Sequence, residues 1–256
     1  MKKSTSELWD KFWTDTPTTK EDIFTLMKEE SGIRWQRIEK IVLQEFGDFK
    51  DLKVIELGAG TGTNAALMAK KGAKITLLDY SASALERARE LFERNGLSAE
   101  FIKQDALSLP TNLPNKFDIC MSFGLVEHFW GVKRTKIIKV HFDILRKGGI
   151  VFISVPNKFN LPYRIFKFIA EHTSKWQVGE EYPFTRRELR NICKQIGITE
   201  CSFFGDSFFS SFDFINPFKL IRKAYGTNNL KTHIKGEKGT FLDSYLSYAL
   251  ILYGKK

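Results

Sequence analysis

The chain has 256 residues, of which 43% are hydrophobic and 27% charged, and its formal net charge is +10. That length suits one large domain or two small ones with a sizeable core, and the composition excludes a collagen, a coiled coil and a disordered tail. No apolar run approaches the ~18 residues of a bilayer span, no apolar signal-peptide core follows Met1, and Cys120, Cys193 and Cys201 lack metal-ligand spacing, so a reduced, cytoplasmic protein is expected.

Taken in chain order, the first elements read as helices. Trp9, Phe12 and Trp13 share a face at spacing i, i+3, i+4, and Ile38, Ile41, Val42 and Phe46 form another, closed by Gly47. From residue 53 the pattern becomes strand, turn, helix, repeated. Lys53–Leu57 is a strand, Gly58–Gly62 a turn, and Asn64–Lys71 a helix stopped by Gly72. A strand follows over Lys74–Leu78, then a helix capped by Ser81 or Ser83 and ending at Asn95-Gly96. Further strands are expected at Ala99–Lys103, Phe117–Ser122 and Gly149–Val155, with a helix over Val132–Arg146 before the last of these. Beyond Pro156 come a helix at Thr185–Gln195, a strand at Thr199–Phe204 and a terminal strand at Tyr245–Tyr253.

Short strands that are apolar throughout are those buried on both faces of a parallel sheet. The expected fold is therefore α/β: a Rossmann-like, doubly wound sheet of seven strands, mostly parallel with an antiparallel last strand. Residues 1–50 read as an N-terminal helical cover and residues 51–256 as the main domain, with insertions near 157–181 and 205–243 at the ligand end of the sheet. Charge and aromatic content are uneven: residues 156–256 carry a net +7 and 12 of the 23 phenylalanines.

Gly58, Gly60 and Gly62 stand between a strand and a helix, where residues without Cβ let a ligand lie on the backbone. The dinucleotide fingerprint would place its third glycine at Thr63, and no Gly-Lys-Ser/Thr of a Walker loop follows. Glu56, two residues before the first glycine, would oppose a pyrophosphate and suits a cationic ligand.

Five segments in order carry a resemblance. Glu56-Leu57-Gly58-Ala59-Gly60-Thr61-Gly62, Asp79 in Leu77-Leu78-Asp79-Tyr80-Ser81, Gln104-Asp105-Ala106, Phe117-Asp118-Ile119-Cys120-Met121-Ser122 and Leu145-Arg146-Lys147-Gly148-Gly149 are similar to the motifs of class I S-adenosylmethionine-dependent methyltransferases. The likeness runs over roughly residues 34–204 and is greatest to the small-molecule group of type 11 or 25. It implies S-adenosylmethionine as cofactor, S-adenosylhomocysteine as product, and no metal. It implies that Asp79 holds the ribose hydroxyls, that Asp105 and the Ala106 backbone hold the adenine amino group, and that Tyr80 flanks the ring. Glu56 would orient the methionine end, Phe123 would touch it, and Trp13, with Trp9, would fold over the cofactor or else pack the core.

A sulfonium methyl is already electrophilic, so the protein's part is positioning and exclusion of water. An oxygen acceptor also needs a base, for which His128, oriented by Glu127, is the candidate; the bland alternative is a structural cap. Tyr182 is a second candidate near the acceptor. His141 reads as packed, and His172 and His233 fall in the insertions. The segment after the fourth strand, Ser122-Phe123-Gly124-Leu125, lacks the motif of base-amino methyltransferases, and Cys120 lies inside a strand, unlike a pyrimidine-C5 nucleophile. A small-molecule acceptor is therefore expected. The Phe-rich insertion, with Phe208, Phe209, Phe212, Phe214, Phe218, Lys219, Arg222 and Lys223, would suit an apolar acceptor bearing a carboxylate or phosphate, or simply pack an extra helix. The alternatives are a methyltransferase acting on RNA or protein, or an inactive binding relative.

Overall fold

The structure is a computed structural model that describes residues 5–15, 21–173, 175–215 and 239–256. Seven strands form one sheet: β1 Lys53–Leu57, β2 Lys74–Asp79, β3 Ala99–Lys103, β4 Phe117–Phe123, β5 Leu145–Pro156, β6 Cys201–Gly205 and β7 Ala249–Lys255. Their order is β3-β2-β1-β4-β5-β7-β6. The first five run parallel, and β7 lies antiparallel to both β5 and β6. The strand order reverses between β1 and β4, which opens a crevice at the carboxyl ends of β1, β2 and β4.

Alternation along the strands divides the core between two faces. Val54 of β1 packs on one face with Trp35, Ile38 and Val42 of α3 (Ile33–Phe46), Leu67 and Met68 of α4 (Thr63–Lys70), and Phe92 of α5 (Ala82–Arg94). Ile55 and Leu57 pack on the other with Ile137 and Phe142 of α6 (Val132–Ile144) and with Leu189 and Ile192 of α8 (Arg186–Gln195). Two further N-terminal helices, α1 (Ser6–Asp15) and α2 (Glu21–Ser31), precede α3, and α7 (Leu161–His172) lies between β5 and α8. Ser81 caps α5, accepting from the Ala84 N–H at 3.2 Å. Among the described residues no helix is long and apolar enough to cross a membrane.

Several element boundaries differ from the sequence expectation. The helix before β5 stops at Ile144 rather than Arg146, because Leu145 pairs with Phe117 and the Arg146 guanidinium bonds the Asp118 carboxylate; β5 therefore starts at Leu145, not Gly149. The last strand starts at Ala249 rather than Tyr245. Asp243 accepts from the Thr240 and Phe208 N–H groups and pairs with Arg37, winding Asp243–Leu246 into a helical turn. The sixth strand begins at Cys201, two residues later than the β-branched pattern predicts. The segment 157–181 contains α7, whose cap Asn160 accepts from Tyr163 N–H at 2.8 Å. The segment 205–243 contains a 3₁₀ helix, Phe209–Phe214. Phe218, Lys219, Arg222, Lys223 and His233 lie outside the described residues.

Candidate functional site

A cavity of about 770 Å³ opens at the carboxyl ends of β1, β2 and β4. One wall is the glycine loop after β1. Gly58 N–H and Ala59 N–H both donate to the Leu78 carbonyl, at 2.8 and 3.2 Å, which pins the loop to the end of β2. Gly60 has φ +54° and Gly62 φ +68°, a region that L side chains rarely adopt. A Cβ at Gly60 would stand 3.0 Å from Cζ2 of Trp13, and one at Gly62 would stand 2.9 Å from Leu77 Cδ1. The backbone conformation favours glycine at both positions, and any Cβ there would crowd a neighbouring side chain.

Asp79 ends β2 and is buried beside this loop. Its Oδ2 accepts from Gly60 N–H at 3.0 Å and its Oδ1 from Ser81 N–H at 2.9 Å. Burial raises its pKa, and these N–H groups partly offset that. Glu56 lies beneath the loop, with Oε2 accepting from Ala65 N–H at 3.1 Å. Burial pushes its carboxyl up to about 8; Ala65 N–H and Arg34 oppose the shift and Asp79 adds to it. Asp105 follows β3, with Oδ1 accepting from Leu107 N–H at 2.8 Å, and the Gln104 N–H holds the segment to the Asp79 carbonyl at 2.9 Å. Asp105, Ala106, Tyr80 and Phe123 line the same cavity as Gly58, Gly60, Glu56 and Asp79.

The helix α1 borders the cavity. None of its residues is buried in the core; Trp9, Phe12 and Trp13 face the cavity. Polar bonds anchor it to the cap of α5. Ser81 Oγ donates to Asp10 at 2.6 Å, and the Ser81 bond holds the Asp10 carboxyl below its ordinary value despite some burial. Trp9 meets His128 edge to face at 5.2 Å. Both N-terminal tryptophans line the cavity and neither is buried in the core.

The far wall is built by the 3₁₀ turn Val126–His128, α7, the loop before α8, and Phe214 and Tyr248. His128 Nδ1 lies 2.8 Å from the Glu180 carbonyl, which can only accept, so Nδ1 carries the proton. Burial lowers its pKa; the Glu180 and Gly124 carbonyls oppose that shift more weakly. Glu127 is 3% exposed and Glu181 7%, and both line the cavity. Burial raises both their pKa values, and for Glu127 the charge of Glu181 adds to the rise.

Tyr182 is not among the cavity's described lining residues. Its ring stacks on Trp130 at 4.8 Å and its hydroxyl bonds Glu180 at 3.1 Å. Its backbone N–H donates to the Glu127 carbonyl at 2.9 Å. The neighbouring Glu181 faces inward instead. His141 is buried, bonded to Ile137 and Ser122, as its helix position predicts. The sequence reading missed Glu181, Tyr163 and Tyr248 as lining residues; the paired acids Glu180-Glu181 were the only local signal. Six carboxylates and three Lys or Arg cations line the described cavity, an acidic interior in a basic chain. Among the described residues, no group of three or more His, Cys, Asp or Glu side chains is placed to hold a metal ion.

A family model described as Methyltransferase domain matches residues 54–149. The tRNA 5-carboxymethoxyuridine methyltransferase of Escherichia coli (strain K12) is 30% identical over 132 residues, covering 51% of this chain and 49% of that protein. The ubiquinone biosynthesis O-methyltransferase of Serratia proteamaculans (strain 568) is 28% identical over 117 residues, 46% of this chain and 48% of that protein. The chain spans about half the length of these curated relatives. The crystal structure of magnesium protoporphyrin IX methyltransferase from Synechocystis PCC 6803 with bound SAH superposes with a TM-score of 0.58 at 15% identity, covering 98% of this chain and 93% of that one.

Proposed function

We propose that the chain is a class I S-adenosylmethionine-dependent methyltransferase, a reading supported by its match to the methyltransferase-domain model and its similarity to the two curated methyltransferases, and that it transfers the methyl group to an acceptor on a small molecule. The observation that carries this reading is the convergence of the glycine loop, Asp79 and Asp105 on one wall of one cavity. When bound, the cofactor would supply a sulfonium methyl that an acceptor lone pair attacks in line, with the thioether as leaving group. Asp79 accepts the two ribose hydroxyls, Asp105 and the Ala106 backbone take the adenine amino group, and Tyr80 lies against the ring. Glu56 faces the methionine end from beneath the loop, and Phe123 flanks it. A buried carboxyl with a single hydrogen bond from the described residues fits a ligand that brings positive charge. Trp13 closes over Gly60, and the chain's contribution is positioning and exclusion of water. His128 is the candidate base where the acceptor carries a proton to lose.

In this reading residues 1–50 are the cover and 51–256 the catalytic domain, with the segments 157–181 and 205–243 building the acceptor side. The free cysteines suit a reducing, cytoplasmic setting. A volume of about 770 Å³ has room for a cofactor and a small acceptor together. Ultraviolet crosslinking of labelled S-adenosylmethionine, followed by peptide mapping, tests the placement: label is expected on the peptides carrying Tyr80 or Gln104–Leu107, and label confined elsewhere contradicts it.

A second reading, an RNA-borne acceptor, draws on the net +7 of residues 156–256 and on the similarity to the tRNA enzyme. Phosphate binding weakens steeply with salt. Retention on heparin that is lost only at high ionic strength supports it, and passage without retention excludes it.

A further inference from the structure

We infer that the acceptor side of this cavity is built for an amine: an N–H-bearing cation seated between Glu127 and Glu181 against an aromatic wall, so that the methyl acceptor is the amine nitrogen of an apolar molecule. The transfer step rests on the methyltransferase reading; the binding preference does not.

The first observation is an unpartnered buried acid. Glu127 is 3% exposed, lines the cavity, and its Oε2 has no hydrogen-bond partner among the described residues. Glu181, 7% exposed, lines the same space from the loop that Tyr182 N–H ties to the Glu127 carbonyl. The basic groups nearest these acids are occupied. Arg134 pairs with Glu188 at 3.2 Å and donates to the Tyr182 carbonyl at 2.7 Å. Lys167 pairs with Glu171 at 2.8 Å and lies over the Trp176 ring at 4.1 Å. Arg134 acts on Glu127 and Lys167 on Glu181 through their charge, and the Tyr163 hydroxyl favours the Glu181 carboxylate, whereas Glu127 Oε2 takes no hydrogen bond from the described residues, and a buried carboxylate is costly without a donor.

The second observation is the wall itself. Tyr163, Phe214 and Tyr248 pack on one another with centroids 4.9 to 5.9 Å apart. Phe166 continues the surface, 5.4 Å from Phe214 and 6.4 Å from Trp176. All five line the cavity. Aromatic faces attract cations, and carboxylates accept only; together they select a group that is positively charged and rich in N–H donors. A carboxylate or phosphate on the acceptor would face two acids. The expectation of an anionic acceptor, drawn from the basic residues of the last third, thus meets an acidic wall among the described residues. Burial also raises the pKa of both acids, which makes each a better base once ionised.

The step balances. The bound R–NH₃⁺ passes one N–H proton to the Glu127 or Glu181 carboxylate. The freed lone pair forms the N–CH₃ bond as the S–CH₃ electron pair of S-adenosylmethionine returns to sulfur. The products are an N-methylammonium, the thioether and a carboxylic acid that gives its proton to solvent.

The test is calorimetry on the full chain with three matched probes, 2-phenylethylamine, 2-phenylethanol and 3-phenylpropanoate, each with and without S-adenosylhomocysteine. The amine is expected to bind at least about tenfold tighter than the other two, a margin that charge-assisted bonds and cation–π attraction can supply. Glu181→Gln and Glu127→Gln should each remove most of that margin while leaving S-adenosylhomocysteine affinity unchanged, which also reports that the variants fold. Glu181→Asp, which keeps the charge, should restore part of it. Equal or tighter binding of the alcohol or carboxylate, absence of amine binding, or an undiminished margin in both glutamine variants overturns the inference. Amine selectivity without S-adenosylhomocysteine binding would instead overturn the methyltransferase reading and leave the amine site standing.

Discussion

Asp79 Oδ2 accepts a hydrogen bond from the Gly60 N–H at 3.0 Å, so the acid that ends β2 and the loop that follows β1 form one unit. Substitution in the loop should therefore disturb the carboxylate as well. Gly60→Ala places a Cβ at φ +54° and 3.0 Å from Trp13. It should lower stability by roughly 1–2 kcal/mol and weaken S-adenosylhomocysteine binding. Adding Trp13→Ala relieves the contact but not the backbone strain, so the double variant should recover only part of the stability in urea titration. Full recovery would mean that the backbone angle costs nothing.

Glu56 supplies a proton-linkage prediction. Burial holds its carboxyl at about 8, so near neutral pH it is mostly protonated before a cationic ligand arrives. Binding S-adenosylmethionine should lower that value and release up to about one proton. Calorimetry in two buffers of different ionisation enthalpy measures the release, and Glu56→Gln should abolish it. The same group affects folding. Its folded pKa is raised, so its stabilising contribution is full below the ordinary 4.5 and is lost as pH rises from there through about 8. Glu56→Gln should flatten the wild-type decline in stability across that window.

His141 acts in the opposite direction. It is fully buried, bonded to the Ile137 carbonyl and Ser122 Oγ, and burial lowers its pKa from 6.5 to about 4. The unfolded chain therefore takes up a proton before the folded one does. Stability is present above 6.5 and is lost as pH falls through about 4, by about 3 kcal/mol in total. Urea midpoints measured from pH 7.5 down to 4 should fall steeply in wild type and less steeply in His141→Gln. Parallel slopes would show that the imidazole is not the titrating group.

Much of the cofactor side was legible because it is local in sequence. The glycine spacing, Asp79 and Asp105 each sit at a strand end, and a strand followed by a turn and a helix fixes where such residues point. The acceptor side was not legible in the same way. Glu127, Tyr163, Glu181, Phe214 and Tyr248 come from five separated segments, joined by long-range contacts that include the Asn157–Phe184 bridge and the Tyr182–Glu127, Asn160–Ser211 and Tyr248–Ser211 bonds. The resemblance points to Tyr182 near the acceptor, whereas its ring packs on Trp130 and it is Glu181 that lines the described cavity. The start of β5 was misplaced because Arg146 continues a helical pattern. Its bond to Asp118 and the pairing of Leu145 with Phe117 override that local preference.

A role for His128 as base predicts a pH signature. Its pKa lies below the ordinary 6.5, lowered by burial, so the acidic limb of kcat should fall at lower pH than free imidazole would give. His128→Ala should remove that limb and reduce kcat by about 10²–10⁴-fold. An unchanged profile would leave His128 as the anchor of Glu180 alone, with Glu127 or Glu181 taking the proton.

The most direct measurement is calorimetric titration of S-adenosylhomocysteine into the full chain and into Asp79→Asn. Saturable one-to-one binding is expected for the wild type, weakened at least about tenfold by the variant because a charged acceptor is lost. Absence of saturable binding, or equal affinity in the two proteins, would contradict Asp79 as the ribose-binding carboxylate of a methyl-transfer site.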